Sequence, residues 1–111
     1  MPFCFSRNTL AVVIAAIASL GIPSALNAQD GASAFKSNCV LCHGPNGSSS
    51  TPTGKALGAK DLRSKEIQGK SDGDLADVIS KGNGKMPAFG AKLSGGTIQS
   101  LVGYIRQLPG H

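Results

Sequence analysis

The chain has 111 residues and a formal net charge of +5, from 11 Lys and Arg against 6 Asp and Glu. With 15 glycines, 6 prolines, no tryptophan and 5% aromatic residues, it is one domain short of large apolar side chains. That composition disfavours a large enzyme, a multidomain protein and a polytopic membrane protein, and it implies that an added group supplements the core.

The first 28 residues stand apart. Arg7 and the α-amine make a short basic start, Leu10 to Ile22 is an apolar run, Pro23 breaks it, and small residues lead to Ala28. This is the layout of a secretory signal peptide, cleaved near Ala28 and leaving a domain over 29–111. The run falls short of the ~20 apolar residues that span a bilayer. The expectation is export to the periplasm with no stable membrane insertion once the leader is removed; an uncleaved N-terminal anchor is the alternative.

Beyond the leader the pattern is helical. Asp30 is placed as an N-cap for a helix over 30–42, with Gly31, Phe35 and Cys39 on one face at four-residue spacing. Residues 44–58 hold Pro45, Asn46-Gly47, three serines and Pro52, which predicts a loop without regular structure. A short polar helix is expected over 61–68. Ser71 and Asp74 form an approximate capping box for the next helix, whose Leu75, Val78 and Ile79 make an apolar stripe and whose stop is a left-handed Gly82. A loop over 83–93 carries Met86-Pro87. The last helix, over 95–108, places Ile98, Leu101, Val102, Ile105 and Leu108 on one face. No stretch alternates as a strand does, so the fold class is all-α.

The chemistry lies in Cys39-Val40-Leu41-Cys42-His43. Cys-x-x-Cys-His is the spacing for covalent c-type haem attachment. Two thiols three positions apart at a helix end can each form a thioether with a haem vinyl group, and the next residue then offers its imidazole to the iron. Two other readings of the pair are open. A redox dithiol belongs at a helix N-terminus in a βαβ setting, whereas this pair ends a helix. A structural zinc needs four ligands, and beyond these three the exported chain adds only His111. Haem c, one group through Cys39 and Cys42, is therefore the expected cofactor, and it would supply the missing interior. Met with an axial His is a known haem pairing. Met86 is the methionine left after the leader, stiffened by Pro87; a role as ordinary core filler is the alternative.

On these residues the chain resembles the class I c-type cytochromes in their short bacterial form, over nearly all of 30–108. The features are Gly31 and Phe35 ahead of Cys39-x-x-Cys42-His43, Met86-Pro87 in a distal loop, and Leu101 and Tyr104 in the closing helix. The resemblance implies three to five helices packed around one covalently attached haem. It also implies a close crossing of first and last helices at Gly31, Phe35, Leu101 and Tyr104. It further implies that a Pro-containing loop presents a carbonyl to the axial imidazole's Nδ1–H, a role assigned to Pro52. One departure is Ser94-Gly95-Gly96-Thr97, where similar proteins follow the serine with acidic residues.

With His43 and Met86 filling both axial positions, the expected function is a soluble periplasmic carrier of single electrons rather than an enzyme. The alternatives are a small haem subunit of a larger oxidase or dehydrogenase, and a haem sensor or peroxidase with a labile methionine. Partners are redox proteins of an electron-transport chain. Lys55, Lys60, Lys85 and Lys92 could steer the protein to an acidic docking patch, although lysines also populate ordinary solvated surfaces. Nucleic acid is not an expected partner: there is no dense basic run and aromatics are few.

Overall fold

A computed structural model describes residues 25–108. Most of the expected leader, residues 1–24, lies outside the described residues. Six helices and no strand occur among them: α1 (Ala25–Asn38), α2 (Val40–His43), α3 (Pro52–Leu57), α4 (Lys65–Gln68), α5 (Asp72–Lys81) and α6 (Gly95–Arg106). None of these is long and apolar enough to cross a membrane.

The expected all-α fold is observed, with local corrections. Asp30 is inside α1 rather than at its cap, because helix-compatible residues from Ala25 carry the helix past it. The helix does not run unbroken to Cys42. It stops at Asn38, and Cys39 caps the separate single turn of α2 with φ −115° and ψ −27°. The 44–58 stretch is not all loop. Thr51 caps α3 by accepting from Gly54 N, and Pro52 sits in the first turn, where its missing N–H costs nothing. The polar helix over 61–68 shrinks to α4 because the Asp61 carboxylate accepts from Arg63 N at 2.9 Å, making a turn, and Ser64 then caps the helix.

α5 and α6 begin as their caps predict. Ser71 Oγ accepts from Asp74 N at 3.0 Å, and Ser94 Oγ accepts from Thr97 N at 3.1 Å. Ser94 also bonds Thr97 Oγ1 at 2.9 Å, so the threonine partly replaces the missing acidic partner. Gly82 ends α5 with a positive φ of 77°, but its ψ of 172° is not left-handed helical. A side chain there would strike the Met86 carbonyl, 2.7 Å from an added Cβ. α6 stops at Arg106, and Leu108 beyond it still packs on the core.

The interior is built on the crossing of α1 and α6. Phe35 and Leu101 are its most buried side chains, at 1% and 0% exposure. Ala34 from α1, Ile98, Val102 and Ile105 from α6, Leu75 and Ile79 from α5, Ile67 from α4, and Leu62 complete it. A Cβ on Gly31 would lie 2.3 Å from the Ser100 carbonyl oxygen, so only glycine allows these backbones to meet. Phe35 and Tyr104 stack across the crossing, with centroids 4.9 Å apart and planes tilted by 41°, in the favoured range for aromatic pairs. The expected small-residue and aromatic contact is present.

Candidate functional site

α2 gathers three of the predicted site residues on one turn. The core side of that turn hangs from α1, with Cys39 N donating to Phe35 O at 2.9 Å. His43 N and Cys42 N both return to Cys39 O, at 2.8 and 3.2 Å. α3 braces the turn from the other side. Thr51 Oγ1 shares its proton between Leu41 O and Cys42 O, at 2.8 and 3.2 Å. Gly54 lets α3 approach closely, since a Cβ there would fall 2.0 Å from Cys42 O.

Cys39 and Cys42 are free, half-buried thiols, not a disulfide. Burial pushes the Cys39 thiol up to about 11, with the neighbouring Cys42 adding to the rise. A dithiol enzyme needs a depressed value to supply thiolate, so this environment disfavours the redox-dithiol reading. Among the described residues no three His, Cys, Asp or Glu side chains converge as a metal cluster; His111 lies outside the described residues.

His43 has a defined second partner. Its Nδ1 lies 3.0 Å from Lys60 O and 3.1 Å from Ser49 Oγ. A carbonyl can only accept, so the bond to Lys60 places the proton on Nδ1 and leaves the Nε2 lone pair for a metal. Burial holds His43 below its ordinary value, against the opposing effect of the Lys60 bond, which also favours the neutral ligand form.

The expectation that Pro52 supplies this acceptor is corrected. Pro52 is exposed at the start of α3, and the carbonyl belongs to Lys60. Tertiary contacts bring Lys60 in. Leu62 is buried, and its N donates to Gly47 O at 2.8 Å, which draws residues 60–62 against the loop after His43. Ser49, also buried, closes the arrangement: its N donates to His43 O at 2.8 Å and its Oγ donates to Lys60 O. Neither Ser49 nor Lys60 was singled out for this role from the sequence. One is a serine among three, and the other acts through its backbone, which carries no residue signature.

Met86 lies outside α2, in a four-residue turn. Asn83 N donates to Met86 O at 3.1 Å and Met86 N to Asn83 O at 2.9 Å. The rest of the loop is tied to the end of α5 by Phe89 N donating to Ile79 O at 2.9 Å and Gly90 N to Ser80 O at 3.0 Å. Met86, Phe89, Leu93, Cys39 and Val40 are partly buried and packed against the same core. Cys39 and Met86 thus share the apolar margin of one core, and the turn that Cys39 opens carries Cys42 and His43. Leu41 and Leu57 add exposed apolar surface, at 72% and 41%. This donor set and margin fit a covalently held haem.

The four lysines at issue, Lys55, Lys60, Lys85 and Lys92, are all exposed. Lys60 Nζ lies 3.6 Å from Glu66, and Lys92 Nζ lies 6.0 Å from the Phe89 ring centroid.

The family described as "Cytochrome C oxidase, cbb3-type, subunit III" matches residues 26–105. A cytochrome c6 from a Picosynechococcus species is 35% identical over 100 residues, covering 84% of each chain. The cbb3-type cytochrome c oxidase subunit CcoP of Azospirillum brasilense is 33% identical over 109 residues, covering 95% of this chain but 37% of the subunit. The chain therefore spans about a third of that oxidase relative and most of the cytochrome c6. The solved structure of the KustC0563 c-type cytochrome superposes with a TM-score of 0.66 at 31% identity, covering 71% of this chain and 96% of that one.

Proposed function

The chain belongs to the cbb3-type oxidase subunit III family of haem domains, within the small mono-haem class I c-type cytochromes that carry haem c and transfer electrons, and from that premise we propose that it is an exported single-electron carrier whose haem iron is ligated by His43 and Met86. The observation that carries the ligand reading is the Nδ1–H of His43 on the Lys60 carbonyl, with the free cysteines Cys42 and Cys39 one and four residues before it in the chain. Haem supplies a one-electron iron couple. Cys39 and Cys42 would tether it through thioethers. His43 would hold the iron through Nε2, from a ring whose other nitrogen is already engaged, and Met86 would offer sulfur from a turn closed by two backbone bonds. A group held by both side chains would leave no place for a reactant to bind, which supports transfer to partner proteins over turnover of a substrate.

The leader over 1–28, cleaved near Ala28, would deliver residues 29–111 to the periplasm. The exposed lysines would steer docking toward an acidic patch on a redox partner. Charge reversal at Lys85 and Lys92 should slow reduction by the true partner at low salt, and unchanged rates at both would remove the steering argument. A second reading, the haem subunit of a larger oxidase, is favoured by the similarity to CcoP. Native mass and copurification from membranes separate a free carrier from a subunit.

The ligand assignment is tested by optical spectra of exported protein in both redox states. Oxidised wild type should show the weak near-infrared sulfur-to-iron band, and Met86→Ala should lose it while keeping covalent haem. A band that survives Met86→Ala would remove Met86 as ligand.

A further inference from the structure

From the triangle of His43 Nδ1, Ser49 Oγ and Lys60 O, we infer that Ser49 is a positioning residue that weakens the proton acceptor behind the axial histidine and so raises the reduction potential. This rests on the proposal that His43 ligates the iron, and it adds a control that the ligand set itself does not contain.

The geometry fixes the direction of each bond. Lys60 O can only accept, yet both His43 Nδ1 and Ser49 Oγ lie against it. A serine hydroxyl has one proton, and here it points to the carbonyl. Ser49 Oγ can therefore only accept from His43 Nδ1–H, which is shared between the carbonyl at 3.0 Å and the hydroxyl at 3.1 Å. The hydroxyl weakens the histidine's bond in two ways. It draws electron density from the carbonyl by donating to it, and it diverts part of the imidazole proton to itself, a poorer acceptor.

A weaker bond at Nδ1 leaves the imidazole less anionic in character, so it donates less to iron, and the oxidised state is stabilised less. Ser49 is committed to this place. It is 7% exposed, and it holds a φ of 60°, the one positive value at a non-glycine position among the described residues. Such a backbone is strained at a side chain other than Gly, Asn or Asp.

Two variants separate the hydroxyl from the backbone. Ser49→Ala removes the oxygen and keeps the strained φ, whereas Ser49→Gly removes the oxygen and relieves the strain. Equilibrium redox titration of the purified holoprotein should show a lower midpoint potential in both, by similar amounts, although their unfolding midpoints differ. In the reduced, diamagnetic state the His43 Nδ1–H proton resonance should move downfield in both, reporting a stronger bond to Lys60 O. A potential that is unchanged or higher in both variants, or one that follows stability rather than hydroxyl loss, overturns the inference. Wild-type protein lacking the spectrum of a His-ligated haem would instead remove the ligand assignment.

Discussion

The two sides of this small molecule are held by different forces. Where α1 crosses α6, Gly31 brings the backbones together and Phe35 and Leu101 are fully buried. Around His43 the order comes from single hydrogen bonds: Thr51 to the carbonyls of α2, Ser49 to Lys60, and His43 to both. Each net hydrogen bond contributes only ~1 kcal/mol. The contrast teaches that apolar burial fixes the geometry of the crossing, while the site side, and with it the fold's stability, depends on the group it binds.

The strongest way to break this comparison is to remove the tether. Cys39→Ala with Cys42→Ala should abolish covalent haem and most of the helical circular dichroism, because the apolar margin then has nothing to cover it. A native-like spectrum without haem would show that the crossing suffices alone. Next in size, Leu101→Ala should cost ~2–5 kcal/mol by denaturant titration, the range for a fully buried leucine. Leu41→Ala, at a site 72% exposed, should change stability by less than ~0.5 kcal/mol when haem is attached. Equal losses at the two leucines would erase the distinction between the sides.

A fourth variant probes the seam between α4 and α5. Arg106 Nε donates to Asp72 at 2.9 Å, Nη1 donates to Gln68 O at 2.7 Å, and Nη2 donates to Lys70 O. Arg106→Ala should cost ~1–3 kcal/mol, since it strands backbone carbonyls that a charged donor satisfies. Arg106→Lys should recover only part, lacking the planar fork. A similarly small effect belongs to Lys60→Ala. The exposed pair with Glu66 is worth less than ~1 kcal/mol, and His43 uses the backbone carbonyl, so stability and the visible spectrum should be nearly unchanged. A lost or altered spectrum in Lys60→Ala would mean that the side chain, too, shapes the site.

Much of this was legible in the chain itself. Cys39, Cys42 and His43 announce their chemistry because thioether attachment and axial ligation need those residues at that spacing. The apolar face of α6, from Ile98 to Ile105, follows from helical period, and Ser71 and Ser94 mark helix starts because their hydroxyls satisfy free N–H groups. Where the reading failed, composition and geometry disagreed. Pro52 looked like a loop breaker, yet its fixed φ suits the first turn of α3. Asp30 looked like a cap, but nothing stops the helix that begins at Ala25.

What the sequence by itself determined, then, is local: which residues carry sulfur and imidazole, and which faces are apolar. Only the tertiary structure decided what stands behind His43. A carbonyl is present at every position, so no residue type marks the one that will be used. Lys60 takes the role because burial of Leu62 and its bond to Gly47 O carry that stretch of backbone, 17 residues away in the chain, to within reach of the imidazole.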